Sequence, residues 1–485
     1  MSRSKYGTTD TSARLMILAL VLMMASVLLA GCDKAVNPPS PDITLESDDD
    51  PGDKPVDLDN SHTKQETRAI WSWVGRKAMP GRGGEISKLD IDELVAQVDS
   101  AHLNVILLHV YHEGTAFFEP SRTRFPNSAE RLTNQSAFAS KEYPDALSYL
   151  LALRDERRAD DDPFNDFQVH AWISVHRGGD HGNENPPADE TEPYMLNALF
   201  PEFKLKLYPY YSKGDERYVK HGVSVIHQPK FRAYIVDLIA GLVEDYEVDG
   251  VHLDYIRTGG ICFNDDYLDY PGIEYDYPGC QQDYRAWTQE TFGHEYNLLG
   301  DTVGGREIEY EARGRVTAWL EGVVSLLVKS IHDEVKAANP DVIISVASVR
   351  NDTSRTSKGQ MTDGQTAWEW LNQGWIDVVF VTAYSADTQA VVDKIQRVRD
   401  AVQDEERRSK IFPGLATHNS DDKESRSHLL VEQVNAVIRG QWAEQPLEPP
   451  AKGMGLFRGG RLSEQAIQLL AQGPFKEPAL PFWGK

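Results

Sequence analysis

The sequence predicts a (β/α)8 barrel, an α/β fold in which eight parallel strands close into a cylinder inside a ring of helices. Three observations predict it. Strand-like and helix-like segments alternate eight times with no strand left over. The connections that follow strands are long and those that follow helices are short, so the long ones gather on one face. The first strand runs into Gly75-Arg76-Lys77, not into the glycine-rich phosphate loop expected of an open, doubly wound sheet.

The strands read, in order, as Arg68–Val74, Asn104–Val110, Gln168–Val175, Val248–Ile256, Val342–Val349, Ile376–Tyr384, Lys410–His418 and Gly453–Arg458. They are short, apolar and rich in β-branched residues, as strands covered on both faces must be. The helices between them read as Asp90–Ala101, Asp145–Arg158, Lys230–Tyr246, Arg313–Ala338, Gln365–Asn372, Thr388–Ala401, Ser425–Arg439 and Ser463–Leu470. Asp90, with Glu93 three residues on, reads as the cap of the first helix. Asn339-Pro340 ends the longest one. Long insertions are expected after strands 2, 3 and 4, the last two spanning about His176–Gln228 and Arg257–Arg313.

The barrel is expected over residues 67–474, with 475–485 as a C-terminal tail. Before it, Arg3, Lys5 and Arg14 precede an apolar run from Leu15 to Leu29, and Leu29-Ala30-Gly31-Cys32 follows. A positive start, a short apolar run and small residues before a cut site read as an export signal over residues 1–31. The run is too short to cross a bilayer comfortably. The small residues before Cys32 resemble a lipobox, which implies cleavage there and acylation of the Cys32 thiol. Residues 32–66, rich in Asp, Pro and Ser, then read as a disordered acidic linker from a membrane lipid anchor. The expected location is the cell envelope, facing the periplasm or the exterior. The remaining cysteines, Cys262 and Cys280, are expected to pair in an oxidising compartment, closing a loop worth about 3 kcal/mol.

With 50 basic against 75 acidic residues, the chain argues against nucleic acid and other polyanions as partners. A neutral or cationic polymer is the easier ligand.

Alternate strand residues point into a barrel. On strand 4, Val251 and Leu253 suit the helix side, which sends His252 and Asp254 inward, Asp254 at the catalytic end. An acid there is expensive unless it is used or paired. Asp249-Gly250, at the other end, reads as a structural turn. On strand 3, His170, Trp172, Ser174 and His176 share the inner face, with Arg177 next. Trp172 is placed to stack on a sugar ring. On strand 2, His109, Tyr111 and Glu113 share parity, and Glu113 is the candidate partner acid for Asp254. Arg257, Asn351, Tyr384 and His418 complete a polar ring at the strand ends, and Arg458 ends strand 8. Glycosidic cleavage needs such a mouth, with one carboxylic acid to protonate the leaving oxygen and a second to attack carbon or activate water.

The stretch Val248-Asp249-Gly250-Val251-His252-Leu253-Asp254-Tyr255 resembles the bacterial glycosyl hydrolase-like 10 family of envelope lipoproteins. The likeness extends to His170-Ala171-Trp172-Ile173, to Ser345 through Asn351, and to Gly374-Trp375-Ile376-Asp377-Val378 with Tyr384, and so covers most of residues 68–460. It implies a barrel acting on glycans, with some members cleaving peptidoglycan strands that lack stem peptides. It implies Asp254 as the catalytic acid, with His252, Trp172 and Asn351 lining the site. The chain departs from the family where Tyr255-Ile256-Arg257, Ser174-Val175-His176-Arg177 and Thr382-Ala383-Tyr384-Ser385 replace the usual runs. These are substrate-contact positions.

Two other classes compete with a glycosidase that needs no cofactor. One is a glycan-binding lipoprotein without catalysis, since no strand end but the fourth shows so clear an inward acid. The other is a metal-dependent hydrolase built on His109, His112, His170, His176, His252 and His418. Such barrels usually carry His-x-His at strand 1, where this chain has Trp71-Ser72-Trp73, so no metal is expected.

Overall fold

The computed structural model describes residues 64–73, 86–112, 114–126, 138, 140–160, 162–176, 204–207, 220–224, 226–258, 279–298, 310–348, 364–402, 404–418, 423–442, 444–459 and 462–483. Eight parallel strands form the barrel: β1 Thr67–Ser72, β2 Val105–His112, β3 Gln168–Ser174, β4 Gly250–Asp254, β5 Ile343–Ser348, β6 Val378–Thr382, β7 Ile411–Ala416 and β8 Gly453–Phe457. Each pairs with the next, and β1 also pairs with β8, which closes the cylinder. The helices after the strands are α1 Lys88–Ser100, α2 Ala146–Arg158, α3 Pro229–Asp245, α4 Tyr310–Ala338, α5 Ala367–Gln373, α6 Thr388–Asp400, α7 Lys423–Val434 and α8 Glu464–Gln472.

The chain from β3 to α3 spans 175–228 and includes a hairpin of Lys204–Leu207 with Lys220–Ser224. The chain from β4 to α4 spans 255–309 and includes a helix at Gly279–Phe292. The stretch between β5 and α5, 349–366, is also long and lay outside the expected set. Returns from helix to strand are short, as at 246–249 and 374–377.

Two apolar layers hold the barrel. Outward residues such as Val251, Leu253, Ile344, Val346, Val379 and Val381 pack on the helices. Inward residues Ala69, Trp71, Val105, Leu107, Trp172, Ile343, Val378, Phe380 and Phe412 fill the interior. Large rings are accommodated because glycine stands beside them on the neighbouring strand. A Cβ on Gly250 would lie 2.4 Å from the His170 ring, and one on Gly455 would lie 2.4 Å from Trp71.

Two expectations are corrected. The cap of α1 is Ser87, whose side chain accepts from the Asp90 amide while the Asp90 carboxylate accepts from the Ser87 amide. Asp90 is therefore the third residue of the capping box, because the helix begins one turn earlier than its apolar pattern suggests. The second correction concerns the ends of the barrel. Gln65 bridges to Leu480, and Glu66 is buried against Arg68 and Arg439. Trp483 packs on His170 and Phe412 and donates to Gln168 at 2.8 Å. Residues 64–66 and 475–483 therefore belong to the floor of the barrel, because the cylinder's open N-terminal end needs an apolar plug with its polar edges satisfied.

Candidate active site

Position 254 ends β4 and is partly exposed at the mouth. The Trp172 indole N–H donates to Asp254 Oδ2 at 3.1 Å, and the Tyr255 amide donates to Asp254 Oδ1 at 2.7 Å. Tyr255 itself holds φ at 51°, a left-handed conformation that costs energy for a residue with a Cβ. The strain turns the chain sharply after the acid. It is held by His176, whose Nδ1–H donates to the Tyr255 carbonyl at 2.6 Å, and by Arg257, stacked over the Tyr255 ring at 4.4 Å.

Trp172 is only 2% exposed. His109 stacks on it at 4.0 Å and Trp73 lies parallel to it at 6.2 Å. It therefore has no face to offer a sugar, in contrast to the stacking expected of it. Its pair with Asp254 uses its edge instead. His109 in turn bonds Ser174 at 2.9 Å and is itself buried.

His252 is likewise withdrawn from the mouth. The Trp71 indole donates to its Nε2 at 2.9 Å, which leaves Nδ1 as the protonated nitrogen, bonded to Ser345 Oγ at 2.9 Å. It is fully buried, and burial first, then the nearby His170, drives its pKa well down. It is a neutral strut across the barrel and presents no surface to a ligand.

The rim is aromatic. Tyr384 is 39% exposed and stacks on Phe457 at 5.2 Å. Desolvation, then the charge of Asp254, pushes its hydroxyl well above the usual range. Its partial exposure weakens the first effect, but both push the same way, so the phenol keeps its proton and acts as a donor. His418 lies against Phe457 and Tyr384 at 5.9 and 6.3 Å. Arg458 covers a face of Trp73 at 4.6 Å.

The structure thus gathers Asp254, His176, Arg257, Tyr384 and His418 around one opening, with Trp172 and His109 buried beside Asp254. Glu113, Arg177, Asn351, Cys32 and Cys262 lie outside the described residues, as does the side chain of Cys280. Sequence reasoning missed Trp73 and Phe457 as rim residues. Their signal was parity, since Trp73 follows Trp71 by two and Phe457 follows Gly455 by two. Asp249 is a structural carboxylate at the opposite end, engaged by Arg154, Arg158 and the Val169 amide. Among the described residues no group of three metal-binding side chains occurs. An open groove of about 650 Å³, lined by residues such as Glu119, Arg154 and Tyr246, lies outside the barrel between α2 and the end of α3.

The closed barrel has relatives. The family model of glycosyl hydrolase-like 10 matches residues 66–427. The chain belongs to that family. Among solved structures, it is similar to the glycoside hydrolase domain of PgaB (BpsB) from Bordetella bronchiseptica. The TM-score is 0.51 at 12% identity, covering 84% of this chain and 98% of that domain. At that identity the likeness is one of fold. A β-galactosidase from Rahnella sp. R3 matches with a TM-score of 0.47 at 11% identity, over 85% of this chain and 56% of that enzyme. An α-L-fucosidase from Paenibacillus thiaminolyticus matches at 0.45 and 11%, over 84% of this chain and 48% of that one. No curated protein matches the chain in sequence. Membership of the family brings a glycosidase-type barrel and the expectation of a carbohydrate ligand.

Proposed function

We propose that the barrel hydrolyses glycosidic bonds in a polysaccharide of the cell envelope or its surroundings, peptidoglycan glycan strands being one candidate. The observation that carries this is Asp254, a carboxylate at the top of β4 held at both oxygens by N–H donors within an aromatic rim. Glu113, which follows β2 in the chain, is the proposed partner acid. His176, Arg177, Arg257, Asn351, Tyr384 and His418 surround the bound sugar, with His109 behind Trp172. We place the enzyme on a membrane through lipidated Cys32 after removal of residues 1–31, with Cys262 and Cys280 paired. No helix among the described residues is long and apolar enough to cross a membrane.

A panel of glycans that includes peptide-free peptidoglycan strands tests the reading with wild type and Asp254→Asn in parallel. The variant is expected to lose about two to four orders of magnitude in turnover while binding the glycan and keeping its melting temperature. Undiminished turnover would overturn the assignment. One observation favours binding without catalysis. Among the described residues that end the eight strands, Asp254 is the one carboxylate. That reading expects wild type to bind glycan without cutting it, and Glu113→Gln to change nothing.

A further inference from the structure

A carboxylate used in catalysis must be held both in place and in one protonation state. The contacts of Asp254 bear on both. The two N–H groups at its oxygens have no lone pair to offer in return, so each bond favours the ionised carboxylate over the acid. The Tyr255 amide is fixed by the strained turn. The other donor is a side chain, and its plane is fixed too. Trp172 is packed by His109 at 4.0 Å with 22° between the rings, and Trp73 runs parallel at 6.2 Å and 9°. The indole can then rotate only by displacing its neighbours, so its N–H stays aimed at Asp254 Oδ2.

We propose that Trp172 is a positioning residue that keeps Asp254 ionised and oriented, so that Asp254 works as the base or nucleophile of the reaction and another group donates the proton. The inference rests on the reading of Asp254 as the catalytic carboxylate. It assigns Trp172 a role through its N–H, in place of the sugar platform its type suggests. Among the described residues, the titratable and charged groups at this mouth include His176 after β3, Tyr255 and Arg257 after β4, Tyr384 after β6, His418 after β7, Arg458 after β8, and His109 and His112 of β2 behind Trp172. Tyr384 keeps its proton near neutral pH and contributes no opposing charge.

Two measurements test it. In the first, the indole N–H resonance of Trp172 is followed by NMR across acidic pH. It should move with a single titration in wild type and stay flat in Asp254→Asn. A resonance indifferent to that substitution overturns the contact. In the second, Trp172→Phe keeps an aromatic ring in the stack and removes the N–H together with part of the indole. The acid limb of its kcat/KM profile should rise by about one pH unit, with kcat down about tenfold and KM little changed. A sugar platform would show the opposite, a normal pH profile and rate with Phe in place. If Asp254→Asn is inactive while Trp172→Phe has the wild-type limb and rate, the inference fails and the hydrolase survives. If Asp254→Asn keeps full turnover, the hydrolase reading fails, and the indole titration still judges the contact. Should Trp172→Phe not fold, the wild-type and Asp254→Asn titrations decide alone.

Discussion

At the scale of single residues, three buried histidines share one electrostatic fate. His170, His227 and His252 are held neutral chiefly by burial, His170 with a pKa of about 4 and His227 about 3. Among the described residues, neither ring nitrogen of His227 has a hydrogen-bond partner, and its ring stacks on Trp319 at 4.9 Å. In the unfolded chain each titrates near 6.5. Their folded pKa values are depressed, so the unfolded state binds more protons below that pH. Stability is therefore full above about 6.5 and is lost as pH falls toward 4, by up to about 1.4 kcal/mol per pH unit for each histidine. Urea midpoints at pH 7 and pH 5 should show this loss. His227→Phe, which keeps the stack on Trp319, should flatten the slope by about one proton without lowering stability at pH 7. An unchanged slope would show that His227 protonates in the folded state.

At the scale of elements, β4 depends on a glycine at its first residue. Gly250 stands beside His170 of β3, and a Cβ there would press into the imidazole at 2.4 to 2.6 Å. The ring is confined, since Trp483 also packs on it at 5.0 Å in the floor. Gly250→Ala should cost about 1–3 kcal/mol by overpacking, read as a lower urea midpoint with an unchanged slope. A neutral result would mean that the floor is looser than its contacts imply. The sequence showed the strand, its parity and its glycine. It did not show that the glycine answers a histidine 80 positions earlier. The same limit explains Trp73 and Phe457. Each was visible as an aromatic at a strand end, but their shared rim depends on β1 meeting β8.

At the scale of the whole molecule, the two ends of the barrel are built for different tasks. The floor is sealed by the terminal segment. Arg68 donates to the Phe475 and Glu477 carbonyls, Asn104 to that of Ala479, and Thr67 to that of Phe482. Access to the interior is thereby confined to the mouth, where Asp254 lies. Removal of residues 475–485 should orphan these buried donors and expose the interior rings. The truncated protein should lose more than about 3 kcal/mol of stability or fail to unfold cooperatively. Urea denaturation with tryptophan fluorescence reads the outcome, and an unchanged midpoint would show that the plug is dispensable.

The sequence by itself determined the barrel, the order of its eight units and most residues that face inward, because alternation and helical periodicity are local patterns of neighbouring side chains. Strand 2 corrects the shared parity expected of His109, Tyr111 and Glu113, since a register shift between His109 and Tyr111 places Tyr111 in the outer apolar layer and His112 against His109. The sequence also marked Asp254 as the acid at the mouth. Only the tertiary structure decided which inward residues meet. Trp172 reaches Asp254 across 82 positions, Trp71 reaches His252 across 181, and Trp483 reaches Gln168 across 315. The physical reason is closure. The relative height of side chains on different strands follows from the register in which β1 joins β2 and β8, and no local pattern carries that register.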